Sequence, residues 1–400
     1  MIRGLLDAGV DVIDIGLCGT EGVYFATFAL DLGGGIMVTA SHNPPDYNGL
    51  KFVREGSRPI SGDTGLKEIR QAAEANRFAA VATRGRVTTR DTSAEYVAHL
   101  LSYVERARLR KLRIVCNAGN GGAGLVIDRL ETALPFEFIK VFHAPDGRFP
   151  NGVPNPMLLR NHAPVAEAVR RERADFGIAW DGDYDRCFFF DEKGAFIEGY
   201  YIVGLLASVF LTRHPGAKIV HDPRVTWNTL DIVRRLGGTP VVSKSGHAFV
   251  KQVMREVDAV YGGEMSAHHY FREFAYCDSG MIPWLLIAQV LCQTTEPLSA
   301  LVAARLKAFP TSGEINRRVP DGAAAIAAVE ARYAPAALSI DHLDGLSLEF
   351  REWRLNLRSS NTEPLVRLNI ESRGDAALVE AKTREVLDYL ATFGAEASDH

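Results

Sequence analysis

From residue 92 to residue 292, apolar runs of strand length alternate with amphipathic stretches of helix length, and no other feature of the chain restricts its fold as strongly. Runs at 112–116, 176–180, 218–221, 239–242 and 259–261 are interleaved with stretches at 96–106, 163–173, 202–213, 228–236, 248–257 and 280–292. Strands separated by helices pair as crossover units, which predicts sheets with parallel neighbours and helices on their faces. The first part of the chain reads as a helix closed by Gly9, a strand at 10–16, a helix at 23–30, a strand at 36–39 and a polar helix from Ser61 to about Arg77. Residues 78–91 show no period and read as a linker. From residue 309 the pattern changes to strands at 312–319, 347–352 and 366–371 with helices at 323–333 and 376–393, the spacing of a small α+β unit. The expected architecture is three similar α/β mixed-sheet domains followed by a C-terminal α+β domain, with boundaries at 1–90, 91–196, 197–308 and 309–400.

Bulk properties agree and exclude some partners. Four hundred residues exceed one ordinary domain, and 47% apolar with 24% charged residues supplies ample core. A net charge of −4 leaves no basic footprint for nucleic acid or an anionic membrane. The longest apolar run, 200–211, is broken by Gly204 and is too short to span a bilayer. Five cysteines, at 18, 116, 187, 277 and 292, are odd in number and widely spaced, so free thiols and a reducing cytoplasm are expected.

Four polar stretches interrupt the alternation. In the first, Thr39-Ala40-Ser41-His42-Asn43-Pro44-Pro45, a serine leaves a strand into a loop that prolines keep from becoming helical. Such a loop exposes the hydroxyl and leaves backbone N–H groups for an anion. His42 follows directly, and adjacent side chains are expected to point apart. In the second, Asp181, Asp183 and Asp185 alternate just past a strand. Three carboxylates so close repel one another unless a cation intervenes, and hard oxygen donors suit Mg²⁺ or Ca²⁺. An EF-hand is excluded because Arg186 stands at loop position six, where glycine is required. In the third, Glu264 and Ser266 offer a carboxylate and a hydroxyl to vicinal sugar hydroxyls, while His268, His269, Lys244 and His247 are types that pack as readily as they ligate. The fourth, Arg358-Ser359-Ser360-Asn361-Thr362-Glu363-Pro364, has the composition of a phosphate-monoester site. A glycine run at 117–124 matches neither the Rossmann nor the Walker pattern and reads as a tight strand-to-helix turn.

Taken together and in this order, the four stretches resemble the phosphohexomutase family, in its bacterial phosphomannomutase/phosphoglucomutase branch, over nearly the whole chain. The resemblance implies a four-domain, heart-shaped enzyme with one loop from each domain lining a central cleft. It implies that Ser41 is phosphorylated and that Asp181, Asp183 and Asp185 hold Mg²⁺ together with a phosphoserine oxygen. Lys51, Arg186, His247 and His268 would line the reaction centre, with Lys51 or His268 as proton shuttle. Glu264 and Ser266 would grip the sugar, and Arg358, Ser360, Asn361 and Thr362 would bind the non-transferring phosphate. The implied reaction interconverts mannose 6-phosphate and mannose 1-phosphate through a hexose 1,6-bisphosphate and feeds GDP-mannose and polysaccharide synthesis. Glucose phosphates are the alternative substrates, and an inactive sugar-phosphate-binding fragment is the alternative of another class. A monomer or weak dimer in the cytoplasm, with no nucleic-acid or membrane partner, completes the expectation. Two departures from the family pattern stand out. Ala267 replaces a frequent glycine, and the strand and Arg-Gly loop with which the family opens are not found before the first helix, so the first domain is expected to be truncated at its N-terminus.

Overall fold

The computed structural model describes residues 1–79, 81–360 and 364–397. Its first ninety residues carry two separate small sheets. Strand Val12–Asp14 pairs in parallel with Val87–Thr89. The stretch read as a linker therefore contains a strand; its exposed Val-Thr-Thr has no apolar side and so leaves no period to detect. The second sheet is antiparallel, with Gly34–Val38 against Leu50–Arg54 and the latter against Arg58–Pro59. Helix Thr20–Ala29 lies so close to this sheet that a Cβ on Gly35 would stand 2.4 Å from Thr27 Oγ1.

Two mixed five-stranded sheets follow, as the alternation of runs requires. In the first, Arg113–Asn117 lies between Glu137–Val141 and Phe176–Trp180 in parallel, and Cys187–Phe190 and Phe196–Ile197 extend the edge antiparallel. In the second, Lys218–His221 is central between Thr239–Val242 and Tyr261–Gly263, and His269–Phe271 and Cys277–Asp278 add antiparallel edge strands. The tail is a six-stranded antiparallel sheet with Trp353–Ser359 and Leu365–Ser372 at its heart and helices Gly322–Tyr333 and Ala376–Ala391 against it. The strands Glu137–Val141 and Trp353–Ser359 have no counterpart in the sequence reading, because Lys140 cuts the apolar run of the first to two residues and Arg354, Asn356 and Arg358 leave the second with no apolar run at all. Among the described residues no helix is long and apolar enough to cross a membrane, and all five cysteines are free thiols.

Apolar packing divides the molecule unequally. The largest hydrophobic core runs from Tyr24 to Val302, and two smaller clusters, around Val115, Val165 and Phe190 and around Val220, Val250 and Tyr270, stand apart from it in the two central sheets. The centre of the largest core includes helix Met281–Cys292, which is buried on nearly every side and correspondingly apolar all round. The tail keeps a separate core, from Val319 to Leu390. It meets the rest through a polar joint at Glu371, which is fully buried. This carboxylate accepts from the Tyr200 hydroxyl and the Thr226 N–H at 2.7 Å each, the Trp227 N–H at 3.1 Å and Arg354 at 3.3 Å.

A second buried carboxylate ties helix Thr20–Ala29 to helix Met281–Cys292. Glu21 accepts from the Ser279 hydroxyl and, at 3.2 Å, from the Gly280 N–H, while Ser279 Oγ accepts the N–H groups of Met281 and Ile282 at 3.1 Å each. Burial pushes the Glu21 carboxyl from 4.5 up to about 8, against the hydrogen bonds from Ser279 and Gly280. Between these two values the folded chain holds a proton that the unfolded chain has released, so this group lowers stability as pH rises through that window. Glu21→Gln, a neutral isostere, should remove the penalty. Its unfolding free energy relative to wild type should rise by about 3–4 kcal/mol between pH ~5 and pH ~8. Chemical denaturation at both pH values measures this, and a pH-independent difference would show that Glu21 is ionised throughout.

Candidate active site

The serine loop and the acidic loop come together through a missing side chain. Gly182 lies against Ser41 so closely that a Cβ there would be 2.3 Å from the Ser41 carbonyl oxygen. Ser41 itself has φ 52°, in the left-handed region that costs a residue with a side chain about 1 kcal/mol or more. Its N–H is held by Thr39 Oγ1 at 2.8 Å, and its hydroxyl donates to Asp181 Oδ2 at 3.0 Å. The turned backbone also brings His42 Nδ1 to 3.0 Å from Ser41 Oγ, so the expectation that the two side chains point apart is wrong. The glycine run at 117–124 is the tight turn expected of it. It packs under the acidic loop, where the Gly122 N–H donates to the Gly182 carbonyl at 3.0 Å.

Asp181, Asp183 and Asp185 are buried, and one carboxylate oxygen of each lies within 4.8 Å of the others. Burial holds Asp181 above the usual carboxylate range despite Arg186. In Asp185 the same burial is outweighed by Lys51 and Arg186, and its carboxyl lies below that range. Lys51 donates to Asp183 Oδ2 at 2.7 Å, Asp185 Oδ2 at 2.6 Å and Thr20 Oγ1 at 3.1 Å. Thr20 and Thr39 add their hydroxyls to Asp183 Oδ2 at 2.6 and 3.0 Å. Asp183 Oδ1, by contrast, is buried with no hydrogen-bond partner. An orphaned carboxylate oxygen beside two further carboxylates and a serine hydroxyl fits a hard divalent cation such as Mg²⁺.

Cations and imidazoles close round this cluster. Arg186 Nε donates to Asp181 Oδ2 at 2.8 Å, and its Nη2 donates to His42 Nδ1. Burial, then the charge of Arg186, lowers His42 to about 4. His268 stands between Asp185 Oδ1, 3.8 Å away, and Glu264 Oε2, 3.6 Å away, with Ser266 Oγ at 3.3 Å. Burial holds it well below the usual imidazole range. His247 opens helix His247–Val257, and burial followed by the Lys251 and Lys51 charges brings it to about 3. Glu264 is fixed by the Tyr270 hydroxyl and, at 2.8 Å, by the Gly246 N–H. Ala267, where glycine was noted as frequent, has φ 68°, a glycine-type conformation that this chain imposes on alanine.

The loop of Glu264 and Ser266 and the strand end of Arg358 are connected by residues that the sequence reading did not single out. Arg224 is 3.2 Å from Ser266 Oγ, 3.5 Å from Glu264 Oε1 and 2.6 Å from Asp222 Oδ2. It is also 3.4 Å from Glu314 Oε2, which in turn receives Arg358 Nη2 at 3.0 Å. Asp222 and Arg224 follow the carboxyl end of a central strand, as Asp181 does, and that position was the available signal. Ser360 lies at the end of the strand carrying Arg358, its N–H donating to the Leu365 carbonyl at 2.8 Å. Asn361 and Thr362 lie outside the described residues. Lys244 does not join the centre: its ammonium is 5.9 Å from the Phe249 ring centroid. His269 packs in the core and meets the Tyr261 hydroxyl at 2.7 Å.

Comparison with known proteins accounts for this arrangement. The three α/β/α domain models and the C-terminal domain model of phosphoglucomutase/phosphomannomutase match residues 1–80, 94–194, 198–309 and 314–388. A phosphomannomutase of Escherichia coli is 61% identical over 398 residues, covering 98% of this chain and 87% of that protein. A protein of Xanthomonas campestris described as phosphohexose mutases is 60% identical over 387 residues, covering 97% and 86%. The crystal structure of a phosphoglucomutase/phosphomannomutase family protein from Burkholderia thailandensis superposes with a TM-score of 0.86 at 33% identity, covering 98% of this chain and 86% of that one. Four domains matched in order and identities near 60% place this chain in the phosphoglucomutase/phosphomannomutase family, whose members are isomerases that move a phosphoryl group on a hexose.

Proposed function

We propose that the chain is a cytoplasmic phosphomannomutase that interconverts mannose 6-phosphate and mannose 1-phosphate through a phosphoserine at Ser41 and a hexose 1,6-bisphosphate, the step that supplies mannose 1-phosphate for GDP-mannose. The observation that carries this reading is the Ser41 hydroxyl 3.0 Å from Asp181, within a buried three-carboxylate cluster and flanked by Lys51 and Arg186. Phosphoryl transfer needs in-line positioning and neutralised charge more than covalent help, and this centre supplies both. Asp181, Asp183, Asp185 and a phosphoserine oxygen would hold Mg²⁺, which draws charge from the transferring phosphoryl group.

The remaining work falls to this chain's own groups. Arg358 and Ser360, with Asn361 and Thr362, hold the phosphate that is not transferred. Glu264 and Ser266 grip ring hydroxyls and present the free hydroxyl of the sugar to Ser41. His268, set between that pair and Asp185, is placed to take the proton of the attacking hydroxyl as its oxygen bonds to phosphorus and the phosphorus–Ser41 bond breaks. Lys51, clamped by two carboxylates, serves as fixed positive charge, while Arg186 and His247 complete the wall. The bisphosphate then turns, and the other phosphate passes back to Ser41 with the proton returned.

Mannose and glucose differ only at C2, and the identity to phosphomannomutases supports mannose. Side-by-side assays with mannose 1-phosphate and glucose 1-phosphate test the choice. We expect kcat/KM to favour mannose; a ratio below one would make the chain a phosphoglucomutase first.

A further inference from the structure

Glu314 is a carboxylate placed where an anion is wanted. It immediately precedes strand Ile315–Arg318, and its side chain is 8% exposed. Its Oε2 lies 3.0 Å from Arg358 and 3.4 Å from Arg224, and its Oε1 lies 3.6 Å from Arg367. Arg358 and Arg367 face each other directly across the antiparallel pair Trp353–Ser359 and Leu365–Ser372, so both guanidinium groups project from one face of the sheet. Like charges so placed repel unless an anion joins them, and Glu314 does so.

Arg224 differs from the other two. It is held by Asp222 at 2.6 Å and Glu264 at 3.5 Å whether or not Glu314 is near. A phosphate arriving at Arg358 would therefore meet a carboxylate already in place, and that carboxylate has a buried arginine to which it can withdraw. Resting on the reading of Arg358 as phosphate anchor, we propose that Glu314 is a resident counter-anion, a positioning residue that competes with the substrate's phosphate for Arg358 and Arg367 and holds the anchor's affinity down. Such competition suits a bisphosphate that must release the anchor, turn and return by its other end. A site of bare guanidinium groups would hold the first phosphate longer than turnover allows.

Calorimetric titration with inorganic phosphate tests this without reference to activity. Glu314→Gln should bind phosphate about tenfold more tightly than wild type, since one like charge close to the ligand is removed. Glu314→Asp, which keeps the charge, should stay near wild type. In steady-state assays Glu314→Gln should lower KM and kcat together, a pattern that loss of packing alone would not produce. Glu314→Ser, short and neutral, repeats the titration should the amide disturb folding. Unchanged or weaker phosphate binding in both neutral variants, or equal tightening in Glu314→Asp, would overturn the proposal. Arg358→Met separates the two levels. Phosphate binding unaffected by that change would refute the anchor itself, whereas binding weakened by it but indifferent to Glu314→Gln would refute only the counter-anion.

Discussion

Ser41→Ala should abolish turnover, with kcat at least about 10⁴-fold below wild type, because the proposed mechanism carries the phosphoryl group on that hydroxyl and gives its neighbours no means to replace it. Intact-mass measurement of the wild-type protein should show a fraction of molecules heavier by one phosphate, and peptide mapping should place it on Ser41. Stability should change little, since the hydroxyl makes one bond to Asp181 and meets His42, and both of these keep Arg186. Removing the side chain also eases a residue held at φ 52° only slightly, because alanine keeps its Cβ. An active Ser41→Ala protein, or phosphate on a different residue, would refute the phosphoserine assignment.

The second large effect concerns the acidic loop. Chelation should stop turnover and added Mg²⁺ should restore it. Asp183→Asn should lower kcat about 10²–10³-fold, the usual cost of removing one group aimed at the reacting charge. Asp183 is the informative member of the three. Its Oδ2 is engaged by Lys51, Thr20 and Thr39, while its Oδ1 is buried without a partner, so an amide there cannot reproduce the second oxygen's charge. Direct titration of Mg²⁺ should show weakened binding in the variant. Turnover that survives exhaustive chelation would remove the metal from the reaction.

The sequence disclosed what is chemical and repeated. Alternate aspartates after an apolar strand, a serine before two prolines and an arginine followed by hydroxyls each stand together in the chain, so residue type and spacing were enough to pick them out. Strand-helix alternation likewise gave the two central sheets, since each central strand is buried on both faces and reads as an unbroken apolar run. What stayed hidden depends on neighbours remote in sequence. Val87–Thr89 is a strand only because Val12–Asp14 lies beside it. His42 reaches Ser41 Oγ because the backbone turns through a left-handed residue that no propensity scale assigns to serine. Arg224 meets Asp222, Glu264 and Ser266 only once the third sheet folds, and Glu314, 90 positions on, joins it only when the tail docks. Trp353–Ser359, central in its sheet, was missed because it has no apolar run, its Arg354 and Arg358 reaching the Arg224 carbonyl and Glu314 rather than solvent.

The separation of the tail's core from the largest core gives the enzyme unequal stiffness. The three aspartates and Glu264 follow strands whose apolar sides join one large core, so the spacing among them is kept by a mass of contacts that cannot yield one at a time. Arg358 belongs to a body with its own packing, fastened at Glu371 by directional polar bonds. Parting an apolar seam exposes oil to water; parting a polar joint exposes groups that water can satisfy, and costs correspondingly less. The tail that carries Arg358 can therefore part from the rest at less cost than the aspartates and Glu264 can part from one another, as a lathe holds its bed rigid and lets the tailstock slide.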